Sequence, residues 1–317
     1  MNQIEQVEFV MFVGIPASGK STMAQEYKNK GYAILSSDEL RAFTEREIDE
    51  NRLVLPSNTN LNAFVFEQLK KDALSLIKSG RNVVIDATNL GRRRRMNFIK
   101  SLKRNPCKKT CVLFIAPIDV CIERNAKREG YARVPDEAMY KMFCNFECPN
   151  FWEGWDEIVP VCHQQRYEFD FSLIENFSQD NPYHKLTLDG HMAQTVKLAT
   201  EKGYSDVVIK VAHFHDIGKY YTKRFENRKG EKTEKAHFYG HENYGAYLYL
   251  VQSCCGREFS KQDFETILYE VNLINCHMRP LTVWRECDKV KEKDKKLFGE
   301  QFFDDLLKLN ECDRLAH

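Results

Sequence analysis

Eight residues near the N-terminus constrain this chain more than any other feature. Gly14-Ile15-Pro16-Ala17-Ser18-Gly19-Lys20-Ser21 fits the pattern G-x-x-x-x-G-K-[ST]. The run Val7 to Val13 before it is apolar and β-prone, and Ser21 to Lys30 after it reads as a helix. Strand, glycine loop and helix in that order form the setting in which this pattern cradles phosphate. Glycines let backbone amides close around phosphate oxygens, and the helix N-terminus adds its dipole. In this reading Gly14, Ser18, Gly19, Lys20, Ser21 and Thr22 hold ATP. Lys20 would neutralise the β- and γ-phosphates and Ser21 would hold Mg²⁺.

The loop demands an α/β sheet, and the next hundred residues supply one. Tyr32 to Leu35, Asn82 to Ile85 and Thr110 to Ala116 are strand candidates. Asn62 to Lys78 has helical periodicity, with Phe66, Leu69, Ala73, Leu76 and Ile77 on one face and Gly80 as its stop. Strands alternating with helices predict a parallel sheet flanked by helices. Residues 136 to 150 read as a further helix, up to Pro149. Residues 160 to 183 lose periodicity and contain Pro160 and Pro182. The reading is therefore an α/β domain over 1–160, a linker over 161–182 and a second domain over 183–317. From Leu188 onward the chain reads as helices with little strand signal, over 190–202, 205–215, 241–253, 260–276 and 299–316, so the second domain reads as all-α. The charge run Lys289 to Lys296 reads as a solvated helix end or loop.

At 317 residues and 43% hydrophobic, the chain can bury two cores, which excludes a disordered or collagen-like protein. No apolar run approaches the ~20 residues of a membrane span, and the acidic N-terminal residues lack a basic leader region. A cytoplasmic protein with no membrane partner is the expectation. Eleven cysteines form no regular frame, and the Cys107/Cys111 and Cys144/Cys148 spacing is loose for zinc, so reduced thiols are expected.

Charge and histidine are unevenly spread. Between Arg81 and Arg133 stand fourteen Lys or Arg and four acids, a local balance of +10 that favours an anionic partner. All nine histidines lie at or after His163. Two regions with such different side chains should carry different chemistry.

In the first region, Asp38 follows the second strand, at the sheet edge where open α/β folds bind ligands. It reads either as a general base toward a hydroxyl or as a helix N-cap. Arg41, three residues on, could grip an acceptor phosphate. Asp86, at the end of its strand, could orient Ser21 or Mg²⁺-bound water, or act only as a cap. Arg92 to Arg95 reads either as a solvated helix face or as a contact surface. Arg124 and Arg128 share a helix face beside a flap bracketed by Gly130 and Pro135, where they could stabilise charge on a transferring phosphoryl group. Three of these segments, Gly14 to Thr22, Asp38-x-x-Arg41, and Arg124-x-x-x-Arg128 leading to Val134-Pro135-x-x-x-Met139-Tyr140, occur in the order found in phage-type 5′-hydroxyl polynucleotide kinases, which residues 8 to 160 resemble. The resemblance implies that Asp38 is the general base toward a 5′-hydroxyl. It implies that Arg41 contacts the acceptor's 3′ phosphate and that Arg124 and Arg128 engage the ATP phosphates.

In the second region, His215-Asp216 sits at the end of an apolar helix, and Asp313 falls on the apolar face of the last one. A carboxylate on an apolar face needs a partner, and a divalent metal such as Mn, Ni, Co or Mg can be that partner. His191, His237, His241 and His277 are further candidate ligands. His191…His215-Asp216-Ile217-Gly218-Lys219…His241…Asp313 resembles the HD-domain metal phosphohydrolases, in particular those attached to bacterial tRNA nucleotidyltransferases and RNA end-healing proteins. The resemblance implies that His191, His215, Asp216 and Asp313 are metal ligands, that Lys219 contacts the scissile phosphate, and that His241 and His277 hold a second metal or the phosphate. His213 is expected to be structural, and His184 could face substrate. The D-x-D-x-T motif of the phage enzyme's phosphatase is absent, and the domain order is the reverse of that in bacterial fusions of these two modules.

The expectation is an enzyme with two activities on RNA or DNA ends: a 5′-hydroxyl kinase and a phosphoesterase for 2′,3′-cyclic, 2′- or 3′-phosphates. A separate ligase would seal the product. A small-molecule kinase fused to an HD nucleotidase and a non-catalytic ATP-sensing module are the competing readings.

Overall fold

The computed structural model describes residues 6–316; the leader reading above falls partly on residues 1–5, outside that range. The chain divides into two compact units. The first comprises residues up to 115, 120–134 and 149–161; the second comprises 116–119, 135–148 and 162 onward. Residues 116–119 and 135–148, which precede the composition break, thus pack with the helical unit.

The first unit runs β1 (Glu8–Val13), α1 (Lys20–Asn29), β2 (Ala33–Ser36), α2 (Ser37–Asp49), α3 (Leu61–Lys78), β3 (Val83–Asp86), α4 (Arg92–Ser101), β4 (Lys108–Ile115), α5 (Ile118–Ala126) and β5 (Glu157–Cys162). Strand order is β2-β3-β1-β4-β5. The β2/β3, β3/β1 and β1/β4 ladders are parallel, with Met11 opposite Ile85 and Cys111. Phe9 to Val13 are fully buried, as expected of a central parallel strand covered on both faces. Val10, Phe12, Val84, Val112 and Phe114 form the core with Ala24 of α1. Register places Ser36 beside Asp86, so the ends of β2 and β3 meet at one edge.

The Arg92–Arg95 run is not a uniform solvated face. Arg93 and Arg94 are exposed to differing degrees, but Arg92 and Arg95 are buried. Spacing of three puts the latter two on the inward side of α4, where Glu153 neutralises Arg95 through a two-point ion pair, Nε to Oε2 at 2.8 Å and Nη2 to Oε1 at 2.6 Å.

The second unit holds α6 (Asp136–Phe143), α7 (Leu188–Glu201), α8 (Asp206–Ala212), α9 (Lys219–Thr222), β6 (Arg224–Glu226), β7 (Lys232–His237), α10 (His241–Cys254), α11 (Lys261–Cys276), α12 (Val283–Glu286), α13 (Asp288–Phe298) and α14 (Glu300–Leu315). Helices α7, α8, α10, α11 and α14 pack together. Serine caps start α8 and α11, Ser205 and Ser260, the latter in a capping box with Asp263. Among the described residues, no helix is long and apolar enough to cross a membrane.

Three expectations change here. Helix α6 ends at Phe143, well short of Pro149, because side-chain amides take the following carbonyls: Asn243 Nδ2 donates to Cys144 O at 2.9 Å and Asn275 Nδ2 to Phe146 O at 3.0 Å. The unit is helical but not purely so, since β6 and β7 pair as an antiparallel hairpin. Its polar sequence lacks the apolar alternation that marks a strand. The charge run 289–296 is the body of α13, and its Asp294 is buried, accepting from Arg279 Nε at 2.8 Å and Trp284 Nε1 at 2.7 Å.

Candidate functional site

The glycine loop leaves β1 at the sheet's C-terminal edge and enters α1 at Lys20. Gly14 is required by crowding: a Cβ there would lie 2.8 Å from Phe114 Cβ. Gly19 has φ 109°, which favours glycine. Lys20 is buried, and its Nζ donates to the loop's own carbonyls, Gly14 O at 2.9 Å and Ile15 O at 2.7 Å. Ser18 Oγ is buried without a hydrogen bond. A ligand oxygen could satisfy both groups.

Burial pulls the Lys20 ammonium down to about 8, against the attraction of Asp86. Above that pH the free protein loses a charge that phosphate binding needs. The KM for ATP is therefore expected to climb as pH rises through 8, and steady-state kinetics across that range would check it; a flat KM there would contradict the reading. Burial also raises the Asp86 carboxyl above its ordinary value, with Lys20 opposing.

Asp38 lies in the first turn of α2 and is not its cap; Ser36 is, accepting from Glu39 N at 3.4 Å. The Asp38 side chain is 87% exposed, and its Oδ1 accepts from Arg41 Nη1 at 2.9 Å. Arg41 also donates from Nε and Nη2 to Asn62 Oδ1 of α3, at 3.3 and 3.0 Å. Asn62, which no sequence pattern singles out, thus holds the Arg41 guanidinium. Arg94 lies 3.7 Å over the Phe66 ring.

Arg124 is exposed on α5, and Arg128 donates to Ala132 O at 3.4 Å. Arg128 also acts electrostatically on Lys20, opposing its charge. The flap that follows is closed by Asn125, whose Nδ2 donates to Val134 O at 2.7 Å while its Oδ1 accepts from Val134 N at 3.0 Å. Asn125 sits inside the quoted Arg124–Arg128 stretch, but its role depends on where the chain returns.

In the second unit, His191, His215, Asp216 and Asp313 present one ligand atom each within 4.8 Å of one another, and Asp216, His241 and His277 do the same. Asp216 joins the two sets. Its Oδ2 lies 3.2 Å from His191 Nε2 and 3.4 Å from His215 Nε2; its Oδ1 lies 3.2 Å from His241 Nε2 and 3.5 Å from His277 Nε2. Asp313 Oδ1 is 3.0 Å from His191 Nε2. All four imidazoles are oriented alike. Nδ1 of His191, His215, His241 and His277 meets the carbonyl of Ala316, Ala212, Phe238 and Ile274, at 2.7–2.8 Å, leaving Nε2 for the cluster. Such outer hydrogen bonds fix the tautomer a metal ligand needs. Gly218 lets the halves approach: a Cβ there would lie 2.1 Å from His241 O.

This donor set fits a divalent metal. His215 Nε2 is fully buried and makes no hydrogen bond. Burial would raise the Asp216 carboxyl, yet the Lys219 ammonium and the surrounding imidazoles hold it well below the ordinary range. Burial would lower His215, but Asp216 and Asp313 outweigh it and hold the imidazole at about 10. The two buried carboxylates thus draw in positive charge, which a metal ion would supply while displacing protons.

Lys219 Nζ is 2.6 Å from Asp216 Oδ2, donates to Gln179 Oε1 at 3.0 Å, and lies 3.4 Å from His184 Nε2. Gln179 lies in the aperiodic stretch 160–183, where no pattern could mark it. His213 caps α8 against Phe171, and His237 stacks on Tyr239; both lie outside the cluster.

Residues 9–149 match the family described as an AAA domain. Solved structures similar to the chain include a gluconokinase from Sinorhizobium meliloti 1021, at 20% identity, 49% of this chain, 81% of that chain and a TM-score of 0.35. The Mycobacterium tuberculosis APS kinase CysC in complex with AMPPNP and APS aligns at 20% identity over 49% of this chain and 88% of that one, TM-score 0.36. A chain of the Pnkp1/Rnl/Hen1 RNA repair complex aligns at 16% identity over 64% and 70%, TM-score 0.37. The family match spans the glycine loop and the parallel sheet around it, so the first unit is a P-loop α/β domain.

Proposed function

We propose that the chain heals broken RNA ends, as an ATP-dependent 5′-hydroxyl polynucleotide kinase joined to an HD-type phosphoesterase. One observation carries this reading: a phosphate-binding loop with an exposed Asp38–Arg41 pair, and a buried cluster of two carboxylates and four histidines, in the same chain.

In the kinase step, Asp38 would accept the proton of the 5′-hydroxyl as its oxygen bonds the γ-phosphorus. The bond from that phosphorus to the β–γ bridging oxygen would break, and ADP would leave. Lys20 would exchange its two loop carbonyls for phosphate oxygens, and Arg128 and Arg124 would balance charge on the transferring group. Arg41 would hold the acceptor strand. At the second site His191, His215, Asp216 and Asp313 would hold a divalent ion, with His241 and His277 available for a second. A bound metal supplies Lewis acidity toward the phosphoryl group. Lys219 would bind the phosphate there, and water would replace the ribose oxygen on phosphorus. The healed ends would then suit a separate ligase.

The test is an end-chemistry assay on a short RNA bearing a 5′-hydroxyl and a 2′,3′-cyclic phosphate, with labelled ATP, Mg²⁺ and Mn²⁺. Lys20→Ala is expected to lower 5′ labelling by about 10³-fold or more and leave 3′ phosphate removal intact. Asp216→Asn is expected to do the reverse. An RNA unchanged at both ends, with ATP or mononucleotides still consumed, would move the assignment to a small-molecule kinase fused to a nucleotidase.

A further inference from the structure

We infer that the β6–β7 hairpin and the turn at Tyr183 form a platform for single-stranded nucleic acid that leads a 3′ end to Lys219; the 3′-end part of this rests on the phosphoesterase reading above. The surface combines exposed rings with cations. Tyr183 is 68% exposed and Phe225 45%. Lys235 lies 5.4 Å from the Tyr183 ring and Arg228 5.1 Å from Tyr239, whereas the charge of Lys223, 5.8 Å from Phe225, is already met by Asp180. From Lys223 to Tyr239 the sequence has six Lys or Arg against three Glu. Flat rings exposed among cations suit unpaired bases on a phosphate backbone: the rings stack, the cations neutralise, and no particular base is required.

The platform is tied to the cluster by hydrogen bonds. Asn181 Nδ2 donates to Ala236 O of the hairpin at 2.9 Å, and Ala236 N donates to Asp180 O at 2.8 Å. Lys223 Nζ pairs with Asp180 Oδ2 at 2.6 Å. The same turn supplies Gln179 and His184, both against Lys219 Nζ, which pairs with Asp216. His237 ends the hairpin, and His241 of the cluster follows four residues later. A mononucleotide could use the cluster and Lys219 alone; only a longer strand would reach Tyr183 and Phe225.

The experiment uses the full chain and a short single-stranded RNA with phosphate at both ends, which offers the kinase site no acceptor hydroxyl. Fluorescence anisotropy in EDTA reads binding without turnover. A Tyr183→Ala/Phe225→Ala pair is expected to weaken binding about tenfold. An Arg228→Ala/Lys235→Ala pair is expected to weaken it similarly and to shallow the salt dependence by about one contact or more. With Mn²⁺ restored, both pairs should raise KM for the 3′-phosphorylated RNA about tenfold and leave hydrolysis of a 2′,3′-cyclic mononucleotide unchanged. Wild-type binding by both pairs, or equal loss on RNA and mononucleotide, overturns the platform. A wild-type protein that binds the RNA through these residues but removes no phosphate sinks the phosphoesterase reading and leaves the platform standing.

Discussion

Asp216→Ala is expected to destabilise the second unit by about 3–5 kcal/mol and to abolish 3′-phosphate removal while 5′ labelling continues. Asp216 is 2% exposed, and it is the carboxylate facing Lys219, whose Nζ is 2.6 Å away and whose side chain is itself buried. Truncation leaves that ammonium with Gln179 Oε1 as an uncharged acceptor and removes half of the carboxylate charge facing His191 and His215. Asp216→Asn separates structure from metal binding. Its amide oxygen can still accept from Lys219, so part of the stability should return, whereas the anionic oxygen between the two ligand sets is gone. Scanning calorimetry with and without Mn²⁺ reads both: a metal-dependent rise in the wild type, lost in both variants, with the Asp216→Asn protein melting between the wild type and the alanine variant. Full stability of the alanine variant, with an undiminished metal shift, would remove Asp216 from the centre of the cluster.

That cluster and the phosphate loop are legible from sequence to different depths, for a physical reason. The loop is a local object: eight consecutive residues carry both its shape and its chemistry, and the strand and helix beside it announce themselves by apolar run and periodicity. Asp313 is announced by a conflict, a carboxylate on an apolar helix face, which burial turns into a demand for a partner. Glu153, Asn125 and Gln179 carry no such signal. Each acts across a turn of chain that is set only when the fold closes. The hairpin 224–237 fails the other way: its strands are solvated and charged, so they lack the alternation that marks a half-buried strand, and their pairing rests on the backbone ladder. Arg92–Arg95 misleads because four identical residues hide two environments that differ only by helical phase.

The run of arginines gives the second large effect. Glu153→Ala is expected to cost the first unit about 3–5 kcal/mol and to raise the KM for ATP. Glu153 is buried, and so are both guanidinium groups it faces: Arg95 in a two-point pair, Arg92 with Nε 3.9 Å from Oε1. Trp155 Nε1 donates to the same carboxylate at 3.1 Å. Without that carboxylate, Arg95 still has the carbonyls of Asn89 and Leu90, at 3.0 and 2.8 Å from Nη1, but its charge is no longer balanced by Glu153. Those carbonyls belong to the turn after β3, which also holds the phosphate loop: Asn89 Nδ2 donates to Phe12 O at 2.8 Å, and Gly14 N donates to Thr88 O at 3.1 Å. A shift of Arg95 would therefore pass through the turn to Gly14, the first residue of the phosphate loop. Glu153→Gln, which keeps the shape and one acceptor oxygen, should fall between wild type and alanine in both denaturation midpoint and KM. A Glu153→Ala protein of unchanged KM but lowered midpoint would confine the pair to stability and break the link to the loop; an unchanged midpoint would mean that Glu153 does not carry the charge balance of Arg95.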